Sequence, residues 1–266
     1  MAAFFISFIN IFAQKHSMKK IFAFIGSPQA ERSNCHLSVK MLTDKLIEKD
    51  KEITCEFYYP SKQNIKYCQG CMTCFAKGYC PQDSKDDMPL LKKKMEEADL
   101  IIFASPNYIM NVSGQMKTFL DRLCLWFHIF PLTGKIGFAV MTTGGTQTSI
   151  ADKDGGLNYL EAMLASLGVK SLGSVAAQSF KPGQFTDTEK LNNDIIAAVE
   201  KITEYLSFGK PVDTDSFSEL VFRLTRTKIK YAEGMEYARQ YWTENGMINL
   251  RRFSDLLAKT KTNTLQ

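Results

Sequence analysis

The sequence predicts an α/β fold in which five parallel strands form a doubly wound sheet with helices on both faces. Short, nearly continuous apolar runs alternate with segments of helical periodicity, which is typical of strands buried on both faces of a parallel sheet. Three of these runs lead through a loop rich in small polar residues directly into a helix. Because crossovers between parallel strands are right-handed, this alternation favours the strand order 2-1-3-4-5.

The predicted elements follow one another regularly along the chain. Each apolar run is four to eight residues long, and each helical segment has apolar residues three or four positions apart. Strands are predicted at residues 20–25, 52–58, 99–104, 135–141 and 169–176, and helices at residues 34–47, from 115 onwards, 157–167 and 187–208.

The loop after the first strand, GSPQAERSNC at residues 26–35, has the composition of a phosphate-binding turn. Ser33 or Asn34 can cap the following helix, whose first amides have no partner within the helix and attract an anion. Neither a Walker A sequence nor G-x-G-x-x-G is present, so a single phosphate monoester fits best. An ordinary capped turn that binds nothing is the alternative that these residues leave open.

The loops after the first, third and fourth strands should meet at the carboxyl edge of the sheet, where ligands bind at the topological switch point. The second of these loops carries Tyr108 among several polar residues. The third contains Thr143, Gly144 and Gly145, and its glycine backbone can approach a flat ring closely. A phosphate turn, a polar shelf and a glycine turn at one edge together predict an FMN site.

Four cysteines form a dense C-x2-C-x2-C-x5-C motif at Cys68, Cys71, Cys74 and Cys80. Iron–sulfur loops use C-x2-C-x2-C runs, and Pro81 follows the last cysteine as a proline does in bacterial ferredoxins. Structural zinc usually takes two separated pairs of ligands, and disulfides require an oxidising compartment. Zinc, disulfides and a reduced loop that binds nothing are the alternatives to a cluster.

The remaining candidate groups fit other roles. The acids Asp83, Asp86 and Asp87 precede a predicted helix and are expected to cap it rather than to bind a hard metal. With only three histidines, no nucleophilic triad or histidine metal site can be assembled. The cysteines outside the motif are expected to be small buried apolar residues: Cys35, Cys55 and Cys124.

The two ends extend beyond the predicted core of residues 18–209. Residues 1–17 are apolar but lack a basic region and are too short to span a bilayer, so we expect an extension that is disordered or not translated. Residues 210–266 are predicted to form a C-terminal helical extension with one long helix at 217–242 that serves a dimer or covers a neighbouring flavin. Reduced cysteines favour the cytoplasm, and neither nucleic acid nor membrane is expected as a partner.

These motifs identify a family resemblance. The chain resembles the NADPH-dependent FMN reductase branch of the flavodoxin-like superfamily and, more narrowly, the iron–sulfur flavoproteins of anaerobic archaea and bacteria. The resemblance covers roughly residues 19–208. The family's first motif usually has an arginine where this chain has Gln29 and often a threonine where it has Cys35. The matching segments are GSPQAERSNC, CQGCMTCFAKGYCPQDSKDDM, SPNYIMNVSGQMKTFLDR and TTGG.

The resemblance implies a flavodoxin-like fold, FMN as the cofactor and NAD(P)H as the co-substrate. It also implies a [4Fe-4S] cluster on the four motif cysteines, a homodimer or homotetramer, and ferredoxin, a quinone or oxygen as electron acceptor. By resemblance the FMN phosphate is held by Ser27, Arg32, Ser33 and Asn34, the isoalloxazine and ribityl chain by Pro106, Asn107, Tyr108, Ile109, Met110 and Asn111, and the pyrimidine end by Thr143, Gly144 and Gly145.

The predicted chemistry is that of the cofactors. FMN carries the hydride step, and a cubane passes one electron at a time, so the pair converts two-electron into one-electron transfer. The modest net charge of +5 agrees with an anionic partner such as NADPH or an acidic ferredoxin. Two alternatives stay open: a cluster-free NAD(P)H-dependent FMN or quinone reductase, and a non-catalytic flavin-binding redox sensor whose cysteines react with oxidants.

Overall fold

The computed structural model describes residues 18–144 and 155–263. Within these residues the centre is a sheet of five parallel strands that follow one another in the order β2-β1-β3-β5-β6. This confirms the predicted order 2-1-3-4-5. The strands are β1 (Lys19–Ile25), β2 (Ile53–Tyr58), β3 (Leu100–Tyr108), β5 (Ile136–Thr143) and β6 (Lys170–Gln178), and a two-residue strand β4 (Asn111–Val112) pairs antiparallel with the end of β3.

Helices cover both faces of the sheet. Along the described chain they are α1 (Asn34–Lys49), α2 (Thr73–Lys77), α3 (Met88–Glu97), α4 (Gly114–Asp121), α5 (Trp126–Ile129), α6 (Gly156–Ser166), α7 (Thr188–Leu206), α8 (Ser216–Tyr231), α9 (Glu236–Glu244) and α10 (Phe253–Asn263). Two short 3-10 turns lie at Ala30–Arg32 and Asp83–Lys85. None of the helices in the described ranges is both long enough and apolar enough to span a bilayer.

Alternate strand residues build two separate cores because neighbouring side chains of a strand point to opposite faces. In β3, Ile101 and Phe103 face one core, whereas Ile102 and Ala104 face the other. The second core is closed by α1 and α7. The first is closed by α3, α4 and α6 and also by the C-terminal helices, so this extension shares a core with the sheet.

The carboxyl ends of β1 and β3 are fastened to each other where the site will form. The Gly26 amide donates to Ala104 O (2.7 Å), and the Ser113 hydroxyl donates to Gly26 O. A Cβ on Gly26 would lie 2.6 Å from Met116 Cβ, so only glycine allows this approach. The loop after β1 is therefore held against the first turn of α4.

The prediction of one long helix at residues 217–242 was wrong. The chain forms two helices, α8 and α9, separated at Gly234, which has φ +73°. Of the apolar residues that predict this helix, Leu220 and Leu224 are exposed, whereas Met235, Ala238 and Trp242 are buried. Trp242 packs around Phe130 together with the buried Phe222 and with Phe253 of α10.

Candidate functional site

A cleft opens at the carboxyl ends of β1, β3, β5 and β6, and we call it the switch-point cleft. It is open to solvent and has a cavity volume of about 260 Å³. Its lining residues are Ser27, Gln29, Ser33, Asn34, Cys35, Pro106, Asn107, Tyr108, Thr142, Thr143, Gly144, Ser179, Phe180, Lys181 and Pro182.

One end of the cleft is the start of α1. The Ser33 hydroxyl accepts from the His36 amide (3.1 Å) and donates to Ala30 O (2.7 Å), which makes Ser33 the predicted N-cap. Ala30 is held at φ +49°, a conformation that costs energy for any residue with a Cβ. The buried Ser27 accepts from the Gln29 amide (3.3 Å). This turn presents the first amides of α1 to the cleft, as an anion site requires.

Two of the predicted phosphate residues take positions that the sequence did not reveal. Arg32 is exposed and is not among the lining residues. The Asn34 side chain holds the loop after β6: its amide group donates to Ser179 Oγ and Lys181 O (2.9 Å), and its Oδ1 accepts from the Gly183 amide (2.7 Å). Asn34 thus positions the cleft wall, and Lys181 brings a cation to it.

The middle of the cleft is lined by Pro106, Asn107 and Tyr108 at the end of β3. Asn107 Oδ1 is buried and has no hydrogen-bond partner within the described residues. Buried polar atoms are rarely left unpaired in native proteins, and each one costs about 1–3 kcal/mol. This oxygen is therefore positioned to accept a hydrogen bond from a ligand.

The hairpin between β3 and β4 has an exposed tip. Its two central residues, Ile109 and Met110, have φ values of +49° and +63°, as in the tight hairpin turns that normally use asparagine and glycine. Ile109 is 96% exposed and Met110 is 59% exposed. Asn111 accepts from the Val112 amide (2.7 Å). Ile109 and Met110 thus form a strained, apolar tip, and none of the three predicted flavin residues in this hairpin is among the cleft-lining residues.

The far wall of the cleft is the end of β5. Thr143 and Gly144 line it as predicted, whereas Gly145 lies outside the described residues. Cys35 Sγ lies 3.0 Å from Thr142 Oγ1, and burial raises the pKa of the Cys35 thiol to about 12. Cys35 therefore stays protonated at neutral pH and can donate to the Thr142 hydroxyl.

A second cleft, the cysteine cleft, is lined by all four motif cysteines. Its other walls include Lys92, Arg122, Cys124 and Trp126. Among the described residues, no three His, Cys, Asp or Glu side chains converge closely enough to hold a single metal ion. A cubane takes one thiolate at each iron corner, so its ligands are spread around it rather than gathered at one point. The donor set fits such a cluster.

Arg122 ties the cysteine loop, residues 68–80, to the body of the protein through the residues that flank it. Its guanidinium forms ion pairs with Asp86 and Asp83 (2.9 Å) and donates to Lys66 O (3.0 Å). Burial raises the pKa of Asp86, but hydrogen bonds from Arg122 and from the amides of Lys66 and Met88 outweigh it, so the pKa lies below its ordinary value. Of the three acids predicted to cap α3, only Asp86 accepts from an amide of its first turn, that of Met88 (3.2 Å), among the described residues.

Cys124 is not the simple buried residue that the sequence suggests. Its Sγ lies 3.6 Å from Cys74 Sγ, and both thiols are partly exposed. Their shared hydrogen bond lowers the pKa of Cys74 and raises that of Cys124. A hydrogen bond from the Thr73 hydroxyl (3.3 Å) likewise lowers the pKa of Cys71.

Comparison with known proteins agrees with this arrangement. The family model for NADPH-dependent FMN reductase matches residues 19–180. An iron–sulfur flavoprotein of Archaeoglobus fulgidus is 31% identical over 231 residues, which is 86% of this chain and 100% of that protein. An FMN-dependent NADH:quinone oxidoreductase of Bordetella avium is 27% identical over 42% of this chain and 64% of its own length.

The fold agreement extends to solved structures. An FMN-dependent NADH-azoreductase from Bacillus anthracis, crystallised in complex with FMN, superposes with a TM-score of 0.54 at 15% identity, over 69% of this chain and 99% of that one. At this level of identity the likeness concerns the fold. Since the family model spans more than half of the sequence and the archaeal relative is matched over its whole length, the chain belongs to the NADPH-dependent FMN reductase family.

Proposed function

We propose that this protein is an FMN-dependent NAD(P)H oxidoreductase with FMN in the switch-point cleft. The observation that carries the proposal is the unpartnered Oδ1 of Asn107, which lies in the same cleft as the first turn of α1. A flavin offers a ring N–H to such an acceptor and a phosphate to such a turn. When bound, FMN supplies the hydride chemistry, and the protein supplies binding, orientation and electrostatics.

The chain's own residues divide this work. We assign the phosphate to the turn shaped by Ser27, Ser33 and Asn34, with positive charge from Arg32 on the solvent side and from Lys181 on the cleft wall. We assign Pro106, Asn107 and Tyr108 to the ring and the ribityl chain. Thr143, Gly144 and Gly145 are assigned to the pyrimidine end of the ring. Ile109, Met110 and Asn111 reach the ring from the hairpin tip.

We further propose that Cys68, Cys71, Cys74 and Cys80 hold a [4Fe-4S] cluster. Their thiols line one cleft, which places four soft donors around the same space. A cluster at this place would pass single electrons to an acceptor such as ferredoxin or a quinone. The iron–sulfur flavoprotein name of the archaeal relative supports this proposal.

The expected assembly is a homodimer or homotetramer in the cytoplasm. The hairpin tip favours an interface, because Ile109 and Met110 are large apolar side chains that face solvent on the single chain. Size-exclusion chromatography with light scattering would measure the assembly. A monomer at micromolar concentration would contradict it.

Anaerobic purification with a visible spectrum and assays of iron and acid-labile sulfide tests both cofactors. About four irons per chain beside bound FMN is expected. Isothermal titration should then show that Asn107→Leu weakens FMN binding about tenfold, the loss of one buried hydrogen bond. Asn193→Leu makes the same change at an exposed position of α7 and serves as its control. Equal affinities would show that the flavin lies elsewhere.

Flavin without iron would favour the cluster-free reductase, as named in the Bordetella avium relative. Steady-state NAD(P)H oxidation with quinones, ferredoxin and oxygen would then identify the acceptor. Bound FMN with no turnover in any of these assays would favour the redox sensor.

A further inference from the structure

Two cysteines from distant parts of the chain meet in the cysteine cleft. Cys74 lies in α2, within the motif, whereas Cys124 lies fifty residues later between α4 and α5, and their sulfur atoms are 3.6 Å apart. This is the one sulfur–sulfur hydrogen-bond contact among the described residues. Both thiols line the solvent-connected cleft, so a small oxidant can reach them.

Packing on both sides keeps the two thiols together. The Phe75 ring, next to Cys74, meets the His128 ring edge to face with centroids 4.8 Å apart. His128 lies one helical turn after Cys124, and its Nδ1 is 2.9 Å from Cys124 O. The C-terminal extension adds a clamp, because the Trp242 indole donates to His128 O (2.6 Å). The contact is therefore part of the folded core.

We propose that Cys74 and Cys124 form a reversible disulfide when the cysteine cleft holds no cluster. Hydrogen peroxide is the oxidant: two Cys–SH groups and one H₂O₂ give one S–S bond and two water molecules, the peroxide O–O bond being broken and reduced by two electrons. An S–S bond is about 2.05 Å long, so the sulfurs must approach by about 1.5 Å from their separation of 3.6 Å. A dithiol reductant reverses the reaction.

The disulfide removes one of the four proposed cluster ligands. Oxidation of the cluster-free protein would thus block cluster assembly until Cys74 is released. Only this consequence rests on the proposed function, since formation of the disulfide itself requires no iron.

The test uses the full-length protein, freed of metal, treated with stoichiometric hydrogen peroxide and then alkylated. We expect two of the seven thiols to be lost and trypsin to release residues 67–77 linked to residues 123–135. Fragmentation should place the link at Cys74. Cys124→Ser lacks one partner of the link, so its remaining thiols should all stay reduced. Cys55→Ser changes a cysteine outside the cleft and should form the link as the wild type does.

Any other linked pair, or unchanged thiol content in the wild type, would overturn the proposal. Iron uptake gives the second readout. Oxidised wild type should lose most of its capacity to bind iron and regain it with dithiothreitol, whereas oxidised Cys124→Ser should bind iron as the reduced wild type does. If the disulfide forms but the reduced wild type binds no iron, the cluster proposal fails and the disulfide stands.

Discussion

The switch-point cleft and the cysteine cleft are built by different means. The first is made from strand ends and helix starts, and the sheet ladder fixes its positions. The second is made from a segment between β2 and α3 that is held by side chains, mainly by the ion pairs of Arg122 and by α9 against α2. We therefore expect the switch-point cleft to tolerate single substitutions, whereas the cysteine cleft depends on a few distant contacts.

The largest effect is expected for Arg122→Ala. It leaves Asp86, whose side chain is fully buried, without its cation, and breaking a buried ion pair costs about 3–5 kcal/mol. Urea unfolding followed by circular dichroism would measure the loss. Lys190→Ala breaks the exposed pair with Asp194 and should cost about 0.5 kcal/mol or less. Equal costs for the two variants would show that the ion pairs of Arg122 do not hold the cysteine cleft.

Acid should reduce the contribution of the same ion pair. Because the pKa of Asp86 is lowered by folding, its contribution is complete above the ordinary value of 3.8 and is lost as the pH falls through the folded value. The stability difference between wild type and Arg122→Ala should therefore be constant near about pH 6 and shrink below about pH 3.8. A difference that grows on acidification would contradict this assignment.

The next largest effect is expected at the contact between α9 and the cysteine loop. Gly78 has φ +81°, and a Cβ there would overlap the Tyr237 ring. Gly78→Ala should cost about 2–4 kcal/mol, from the positive φ and from overpacking. Gly70→Ala has a similar φ (+64°) with nothing within 4 Å of the added Cβ, so it measures the backbone cost alone.

Removal of the ring tests whether the clash explains the difference. Gly78→Ala should cost more stability than Gly70→Ala because of the Tyr237 ring. In a Tyr237→Ala background that excess should disappear, as judged by thermal unfolding. Additive losses in the double variant would mean that α9 does not press on the loop.

Substitutions at the hairpin tip should raise the stability of the protein rather than lower it. Replacing Ile109 by Asn and Met110 by Gly supplies residues that adopt positive φ readily, and it should stabilise the cofactor-free protein by about 1–2 kcal/mol. Differential scanning calorimetry would show the rise in Tm. FMN binding should weaken at the same time if the tip covers the ring. A drop in Tm would show that the turn is not strained.

The smallest effect is expected for Asn107→Leu in the cofactor-free protein. Removing the unpartnered Oδ1 should raise stability by about 1 kcal/mol, although the same change weakens FMN binding. Unfolding curves with and without FMN would separate the two. Destabilisation of the cofactor-free protein would mean that water already satisfies this oxygen.

Much of the fold could be predicted because its signals are local. The apolar runs before Gly26 and Ser105 specify strands, and the loops after them specify the cleft. Gly234 interrupts the helical pattern and is a signal for a break. The apolar spacing continues on both sides of it, and this continuity led to the prediction of one helix. Strand β4 was not predictable, because Ile109 and Met110 are poor residues for a two-residue hairpin turn.

The missed parts of the site depend on contacts between distant residues. Asn34 reaches Ser179 across 145 positions, and Cys124 reaches Cys74 across 50. No periodicity or spacing reports such pairs, so Lys181 and Cys124 could not be assigned to the clefts. The only local hint was that Cys124 lies close to Arg122 in a segment rich in bulky apolar residues.

The two tryptophans give the molecule one optical reporter in the cysteine cleft and another in the C-terminal extension. Of the two in the sequence, Trp126 lines the cleft, whereas Trp242 is fully buried in the C-terminal extension and stacks on Phe222 at 5.1 Å. In a Trp242→Phe protein the remaining emission reports what occupies the cleft. In a Trp126→Phe protein it reports whether the extension stays docked. Cofactor loading and clamp release can therefore be followed separately, in real time and without an added label.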